Sequence, residues 1–429
     1  MKKVNAEFTE KNLTGNAGLV HFGRFIDKLD LPGILAAHLT IIRGAGADYQ
    51  ACDAVLMLLF GVIAGAKHVS HLAILKTDRV LRIIFDWDKF PVGTTFGRLF
   101  RLFSFRNCNE LLEVEDKVRR KVWKKKWFGR VTMDFDSSVI GVFGSQEGAE
   151  KGYNPFKKGQ KSYHPIFCFI AETRECLNNW FRPGKTYSAN GIVEFSKECF
   201  ARLPKGVWKV FVRADSAFFN GAFLDFLESK GSLYLIKVKM KGLTTLLSGK
   251  KWKKIRNVVG FESAEFEYQC AGWSKPRRFV AVRELIGIKT EGLLFPEYEY
   301  KYFCYVTNED YSPWKAHKKY GKRSTSENWI EWCKNQMAAG SIRTQDFWAN
   351  SAIFHTCILA YNLMVWMMVL TNKNKLMHQE PDTIRAWLIN VPARLLTGSR
   401  RLVLKLSQNS FFKGKWLEIE NVIDRLCFE

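Results

Sequence analysis

Cysteine motifs and repeats are what this sequence lacks. Its ten cysteines are scattered through 429 residues, with no CxxC pair and no Cys/His grouping at zinc-ligand spacing. No signal peptide, short repeat or low-complexity tract is apparent. The pattern argues against a disulfide framework and a zinc finger, and it favours free thiols in a reducing cytoplasm.

Acidic residues are scarce relative to basic ones. The chain has 66 Lys and Arg against 42 Asp and Glu, which gives a formal net charge of +24. Such an excess over a chain that is 47% hydrophobic indicates a polyanionic partner, most simply nucleic acid. The alternative is a soluble protein that is merely basic.

Long uninterrupted apolar runs are also missing. Residues 55–66 are too short to cross a bilayer, and the run 352–370 is interrupted by His355 and Asn362. Both segments are therefore predicted to be buried helices, and no membrane partner is expected.

The first part of the chain has a helical pattern. Apolar residues recur at intervals of three and four between about residues 17 and 126, which predicts an N-terminal helical region over 1–129. One predicted helix carries an apolar stripe of Leu111, Val114, Val118 and Val122. Its other faces are basic, with Lys117, Arg119, Arg120, Lys121, Lys124, Lys125 and Lys126. We expect this face, with Lys124, Lys125 and Lys126 at its end, to contact DNA, and a solvated surface is the alternative.

From residue 130 strands alternate with helices. Strand patterns occur at 131–144, 165–171, 174–181, 207–215 and 232–239, with helices expected near 190–203 and 219–229. The apolar run 207–215 is typical of a strand buried on both faces. An α/β core with parallel pairing is therefore predicted over 130–239.

The remaining chain divides into three predicted regions. A β-rich insertion is expected at 240–312, the second part of the core at 313–380, and a basic helical C-terminal region at 381–429. Helices are predicted at 326–338, 343–371 and 382–396. The basic residues of the last region are Arg394, Arg400, Arg401 and Lys405.

Four acidic residues have contexts that suggest chemistry. Asp134 and Asp136 share one face of an early strand, Asp215 ends a buried strand, and Glu327 opens a late helix. The carboxyl ends of strands line the functional crevice of an open α/β sheet. Convergent carboxylates repel each other unless a cation neutralises them, and oxygen ligands suit Mg²⁺ or Mn²⁺. Two such ions can assist an in-line phosphoryl displacement.

Each of these residues also has a purely structural interpretation. Asp136 before Ser137 can cap a turn, and Asp215 can cap a helix after its strand. Ser324 and Glu327 fit a capping box, in which both side chains accept hydrogen bonds from backbone N–H groups.

Three motifs resemble a known family. The order DFDSS (134–138), ADSAF (214–218) and Tyr320-x2-Arg323-x3-Glu327-x6-Lys334 is similar to bacterial insertion-sequence transposases with a Tyr-Arg-Glu-Lys signature. These are DDE enzymes with a ribonuclease-H-like fold, so the resemblance implies a mixed-sheet core of that type. It extends over residues 17–405.

The resemblance implies roles for specific residues. Asp136, Asp215 and Glu327 would be the catalytic, metal-binding triad, and Asp134 would be an alternative ligand. The chain has Asp215-Ser216-Ala217 where many relatives have Asp-Arg-Gly. A hairpin route for second-strand cleavage is an open expectation; Trp273, Tyr298 and Tyr300 are candidates for the aromatic residue that would receive a flipped base.

The signature residues are expected to contact DNA. Tyr320 and Arg323 would contact phosphates near the cleavage site. Lys334 lies seven residues after Glu327, which places it on the same face of a continuous α-helix. The alternative for Arg323 and Lys334 is an exposed ion pair with Glu327 or Glu331, contributing only ~0.3–0.5 kcal/mol.

The sequence thus predicts a DNA transposase. It would use Mg²⁺ or Mn²⁺ to cleave insertion-sequence ends and transfer the strands into target DNA, as a homodimer on double-stranded DNA in the bacterial cytoplasm. One alternative is a ribonuclease-H-like nuclease without strand transfer. Another is a non-catalytic basic DNA-binding protein derived from a transposase.

Overall fold

The computed structural model describes residues 2–44, 46–126, 128–154, 157–289, 295–341, 344–371, 378–398 and 401–428. They form two compact units. The first unit comprises residues 1–127, 144–148 and 331–429, and the second comprises 128–143 and 149–330. This division differs from the five predicted regions, because both chain termini share one unit and the insertion shares the other with the first part of the core.

The α-helices of the described residues vary from four to 25 residues in length. They are α1 Leu19–Leu29, α2 Leu31–His38, α3 Ala51–Ala64, α4 Ala73–Thr77, α5 Arg79–Ile84, α6 Gly93–Phe100, α7 Phe105–Lys125, α8 Ile192–Arg202, α9 Gly221–Ser229, α10 Leu243–Ser248, α11 Pro313–Gly321, α12 Thr325–Glu331, α13 Phe347–Thr371, α14 Pro381–Ile384 and α15 Lys413–Arg425. Short 3₁₀ segments are Val69–Leu72, Ser216–Phe218 and Lys322–Ser324, and π-helical segments are Trp332–Gln336 and Arg385–Ile389.

The strands belong to three sheets. They are β1 Leu13–Thr14, β2 Arg130–Ser137, β3 Ile140–Gly141, β4 Glu150–Lys151, β5 Lys161–Tyr163, β6 Ile166–Ile170, β7 Cys176–Trp180, β8 Lys209–Ala214, β9 Leu233–Lys237, β10 Lys253–Lys254, β11 Phe261–Tyr268, β12 Arg277–Lys289, β13 Glu297–Thr307, β14 Ala393–Thr397 and β15 Leu402–Leu406.

The second unit is built on a nine-stranded mixed sheet. Its strand order is β10-β11-β12-β13-β9-β8-β2-β6-β7. Strands β2, β8 and β9 are parallel to one another. Strand β6 runs antiparallel to β2, and β7 in turn runs antiparallel to β6. The prediction of an α/β core with parallel pairing is confirmed. The predicted insertion is rich in strands, and β13 continues the same sheet by pairing with β9.

The first unit is packed around α13. This helix contacts α3, α6, α7 and α15, and nearly all of its residues are buried. By length and composition, α13 is the one described helix that could cross a membrane, or one of two if the bent pair Ala51–Ala64 and Val69–Thr77 counts as a span. Because 89% of its apolar window is buried, the predicted buried helix is confirmed.

Helix α7 contributes an apolar face and a buried polar network to the first unit. The predicted stripe of Leu111, Val114, Val118 and Val122 is buried, as expected. The prediction that Arg119 lies on a basic outer face is wrong. Its side chain is fully buried and forms ion pairs with Glu115 at 2.7 Å and with Asp116. Asn362 of α13 also donates to Glu115, at 2.6 Å, so a polar residue in the apolar run joins two helices.

The predicted helix at 382–396 is only partly correct. Residues Pro381–Ile384 are α-helical and Arg385–Ile389 are π-helical, but Ala393–Thr397 form β14. This strand lies between β1 and β15 in a three-stranded antiparallel sheet. The C-terminal region is therefore not purely helical, because β1, about 380 residues earlier in the sequence, pairs with β14 and completes its sheet. Of its predicted basic residues, Arg400 lies outside the described residues.

Candidate active site

Two of the predicted carboxylates lie at the ends of neighbouring parallel strands. In the register of β2 and β8, Phe135 pairs with Ala214, so Asp136 and Asp215 follow at the same edge of the sheet. Asp136 is buried, whereas Asp215 is half-buried. The structure therefore brings together two residues that lie 79 positions apart in the sequence.

The two aspartates interact electrostatically. Burial raises the pKa of the Asp136 carboxyl to about 6; Arg323 opposes the rise and the charge of Asp215 adds to it. A raised pKa is the expected result of removing a carboxylate from water and placing it near a like charge. The edge of the sheet thus carries negative charge that is only partly compensated.

Asp215 also has the structural role that its position suggested. Its Oδ1 accepts a hydrogen bond from the backbone N–H of Ala217 at 2.8 Å, at the start of the 3₁₀ segment Ser216–Phe218. This hydrogen bond uses one of the two carboxylate oxygens and fixes the orientation of the carboxylate. The capping role is therefore compatible with a second role as a metal ligand.

Arg323 connects Asp136 to the third predicted carboxylate. Its Nη1 donates to Asp136 Oδ2 at 2.8 Å, and its Nη2 donates to Glu327 Oε1 at 3.2 Å. The Arg323 side chain is 9% exposed and that of Glu327 is 63% exposed. Asp136, Asp215, Arg323 and Glu327 thus lie in one region of the second unit.

Tyr320 lies next to Arg323. Its ring is 4.7 Å from the ring of Tyr305, and the Arg323 guanidinium carbon is 5.7 Å from the Tyr320 ring centre. Burial raises the pKa of the Tyr320 hydroxyl to about 12, and Asp215 and Asp136 contribute to the rise. The tyrosine therefore stays neutral at physiological pH and packs beside the charged groups.

Glu327 does not take part in the predicted capping box. The Ser324 hydroxyl donates to the Gly321 carbonyl at 2.8 Å, and the Glu327 carboxylate accepts from Arg323. Helix α11, the 3₁₀ turn Lys322–Ser324 and α12 follow each other without a break, so Ser324 lies inside a helical run. The structure thus favours an ion pair, rather than a cap, as the local role of Glu327.

Asp134 has a different environment from Asp136. It is fully buried, and its two oxygens accept from Arg213 Nε and Nη2 at 2.6 Å each. Arg213 also donates from Nη1 to the backbone carbonyl of Lys319 in α11, at 3.0 Å. This favours a positioning role for Asp134 over the alternative role as a metal ligand.

Sequence reasoning missed Arg213, although a signal for it existed. Arg213 pairs with Asp134 in the register of β2 and β8. An arginine within a strand that is buried on both faces needs a counter-ion, and Asp134 was the acid available on the neighbouring predicted strand.

The predicted DNA-binding lysines lie in the first unit. Lys124, Lys125 and Lys126 are at the end of α7, where the first two are exposed and Lys126 is half-buried. Lys334 is in the π-helical segment Trp332–Gln336, where burial lowers the pKa of its side chain. The same-face argument assumed a continuous α-helix. Since π-helical bonds have an i→i+5 pattern, that argument does not hold here.

The aromatic candidates in the insertion have other neighbours. The Arg277 guanidinium lies 4.9 Å from the centre of the Trp273 ring, and that of Arg283 lies 3.9 Å from the centre of the Tyr300 ring. Tyr298 is 52% exposed. No assignment of a base-receiving residue follows from these contacts.

The site fits a divalent cation in part. Within the described parts of the chain, no group of three or more His, Cys, Asp or Glu side chains is arranged to hold a metal ion. Asp136 and Asp215 supply oxygen donors whose negative charge Arg323 compensates only in part, and such donors suit Mg²⁺ or Mn²⁺. The Glu327 carboxylate is held by Arg323.

Comparisons with known proteins place this geometry in context. A family model described as transposase DDE domain group 1 matches residues 1–427. The piggyBac transposase synaptic complex with hairpin DNA is similar at a TM-score of 0.48 and 12% identity, covering 88% of this chain and 81% of that one. The Mos1 transposase paired-end complex with left transposon end gives a TM-score of 0.19 at 11% identity, with 45% and 60% coverage. No curated protein shows significant sequence similarity to the chain.

Proposed function

We propose that this chain, which belongs to the transposase DDE domain group 1 family, cleaves DNA at the ends of an insertion sequence. It then joins the freed 3′-hydroxyl ends to target DNA. The family membership makes it a DDE transposase that acts on DNA. The cleavage and joining steps, the residues and the metal are our proposal.

The observation that carries this proposal is the grouping of Asp136, Asp215 and Glu327 in one unit. The aspartates end adjacent parallel strands, and Glu327 is joined to Asp136 through Arg323. The hydrogen bonds of Arg323 account for Asp136 and Glu327, but they do not include Asp215, which follows the neighbouring strand. A shared catalytic task explains why they are grouped.

We assign the core of the second unit to the ribonuclease-H-like class. The strand order β7-β6-β2-β8-β9, with β6 antiparallel and β8 and β9 parallel to β2, supports the assignment. In this arrangement the edge that carries Asp136 and Asp215 is the catalytic edge of the sheet.

Asp136 and Asp215 would hold Mg²⁺ or Mn²⁺, with Glu327 as the third ligand. Bound there, the metal would polarise a phosphodiester and lower the pKa of an attacking water or 3′-hydroxyl. Asp136 must be ionised to serve as a ligand, and Arg323 favours that form. The Ala217 N–H holds the Asp215 carboxylate in a fixed orientation.

Arg323 and Tyr320 would bind the DNA strand beside the carboxylates. The Nη1 and Nη2 groups of Arg323 donate to Asp136 and Glu327. A phosphate is an equally suitable acceptor for a guanidinium fork. Tyr320 would keep the guanidinium in place by packing beside it.

Strand transfer separates this function from its alternatives. Purified protein is incubated in Mg²⁺ with a pre-cut duplex that carries a 3′-hydroxyl insertion-sequence end, together with a circular target plasmid. We expect joined products of end and target. Cleavage of uncut ends without joining would indicate a nuclease, and binding without either reaction in Mg²⁺ or Mn²⁺ would indicate a DNA-binding protein.

We also propose that two copies act together, because joining both ends of one element requires two sites. The reaction would take place on double-stranded DNA in the bacterial cytoplasm. Sedimentation of the protein with and without end DNA measures the number of copies in each state.

A further inference from the structure

A row of exposed lysines follows one side of α11 and the turn after it. Lys315, Lys318 and Lys322 are exposed and separated by three and four residues, so they lie along one face. We call these three residues the lysine ridge. Residues 311–325 contain no aspartate or glutamate.

The helix beneath the ridge is held rigidly. Ala316, on its other side, is fully buried in a cluster with Leu235, Val280 and Tyr305. The backbone carbonyl of Lys319 accepts a hydrogen bond from Arg213, whose guanidinium also donates to the buried Asp134 carboxylate. The ridge therefore has a fixed position relative to the sheet of the second unit.

Two of the three ammonium groups of the ridge lie over aromatic rings. Lys315 Nζ is 4.4 Å from the centre of the Tyr311 ring, and Lys318 Nζ is 5.1 Å from the centre of the Trp314 ring. In the described parts of the chain, no ridge lysine forms an ion pair with a carboxylate. A ring holds a cation near its face without neutralising its charge.

The ridge borders a shallow cavity of about 310 Å³. Its lining consists of Ser312, Trp314, Lys315, Lys318, Lys319 and Lys322. Four cations and a hydroxyl around an open depression, without any acid, form a surface that is complementary to anionic oxygens.

We propose that the lysine ridge binds consecutive phosphates of the DNA strand that enters the candidate active site. This inference rests on the proposed function and extends its DNA interface to residues outside the signature. Lys315 and Lys322 are separated by about 10 Å along a helix axis. Along the axis of a duplex, that distance spans roughly three phosphates of one strand, at ~3.4 Å of axis each. The residue after the ridge is Arg323, so a strand on the ridge continues toward Asp136 and Glu327.

The salt dependence of DNA binding tests this proposal. The variant carries Lys315→Gln, Lys318→Gln and Lys322→Gln. The matched control carries Lys197→Gln, Lys205→Gln and Lys230→Gln, three exposed lysines elsewhere in the same unit. Fluorescence anisotropy with a labelled insertion-sequence-end duplex gives the slope of log K against log[NaCl] for the full chain.

We expect the ridge variant to have a slope shallower by about 2 to 3, since each lost phosphate contact removes about 0.9. A scrambled duplex should show the same change, because phosphate contacts carry no sequence information. The control should differ from wild type by less than about 1, and a variant with arginine at the three ridge positions should restore the slope.

Equal slopes for the ridge variant and the control would overturn the proposal. Matching circular dichroism and melting temperatures for all variants exclude a folding defect. If wild-type protein binds and cuts end DNA while the ridge slope is unchanged, the ridge assignment fails and the proposed function stands. If wild-type protein neither cuts nor joins DNA, the proposed function fails. The slope of log K against log[NaCl] then still shows whether the ridge lysines contact DNA phosphates.

Discussion

Arg323 and Arg213 have contrasting tasks although both bind buried aspartates. Arg323 joins Asp136 to the largely exposed Glu327, whereas Arg213 binds both oxygens of Asp134 and the backbone of α11. In the first group, the Glu327 side chain is 63% exposed, so this ion pair borders solvent. The second pair is enclosed, so its contribution is to fix the helix that precedes the site.

Removing one member of the Asp134–Arg213 pair should be more harmful than replacing both. Arg213→Met alone leaves a buried carboxylate without its partner, and we expect a loss of about 3–5 kcal/mol in the free energy of unfolding. The double variant Asp134→Leu with Arg213→Met should recover most of that loss. Urea unfolding of the wild type, both single variants and the double variant measures the coupling; additive effects would contradict an enclosed pair.

His21 gives the first unit a dependence on pH. It is 3% exposed and lies 4.2 Å from the Trp416 ring, and within the described residues its ring nitrogens have no hydrogen-bond partner. Burial, with a smaller effect of Arg24, lowers the pKa of His21 from 6.5 to about 4. The folded unit therefore holds this side chain in its neutral form.

Acid should weaken the first unit through His21. Since the folded pKa lies below the unfolded value, this contribution is present above pH 6.5 and is lost as the pH falls toward 4. The loss should be on the order of 3 kcal/mol. Melting temperatures of wild type and His21→Phe between pH 7 and pH 4 measure it. The wild type should lose more stability than the variant, and parallel curves would contradict the assignment.

At the scale of elements, patterns that depend on neighbouring residues were predicted well. The strands β2, β6, β7, β8 and β9, and the helices α8 and α9, coincide with predicted segments, because a buried strand or amphipathic helix has a local apolar period. The sequence indicates Asp136 through its position on one strand face with Asp134, and it indicates Asp215 through its position at the end of a buried strand.

Features that depend on distant partners were not predictable. Strand β14 is stabilised by pairing with the distant residues Leu13–Thr14. Because that pairing leaves no mark on the local sequence, the local pattern predicts a helix there. The π-helical segments at Trp332–Gln336 and Arg385–Ile389 have no local period that distinguishes them from α-helix. The Arg323 bridge depends on Asp136, 187 residues earlier.

The start of α1 is packed directly on the π-helical segment Arg385–Ile389. A Cβ atom at Gly18 would lie 1.6 Å from the backbone oxygen of Leu388, whereas a Cβ at Gly97 in α6 would meet nothing within 4 Å. Gly18→Ala should therefore lower the free energy of unfolding by at least about 2–3 kcal/mol. Gly97→Ala should raise it by about 0.4–1 kcal/mol. Denaturant unfolding of both variants measures these two changes in the free energy of unfolding. Equal changes would contradict the close packing of Gly18 on Leu388.

At the scale of the molecule, the distribution of charge is uneven. The net charge of +24 coexists with a small group of carboxylates in the second unit. The predicted insertion adds β10–β13 to the nine-stranded sheet of the second unit rather than forming a sheet of its own. A basic chain of this kind is suited to binding polyanionic DNA, and its localised carboxylates are suited to binding cations.

Cleavage of insertion-sequence-end DNA by isosteric variants is the decisive measurement. Asp136→Asn, Asp215→Asn and Glu327→Gln are compared with wild type in Mg²⁺ and Mn²⁺, at protein concentrations that saturate the DNA. We expect each variant to bind DNA but to cleave it more than about 100-fold more slowly, beyond the usual effect of residues that only orient a metal ligand. Cleavage at the wild-type rate by all three variants would contradict the proposed active site.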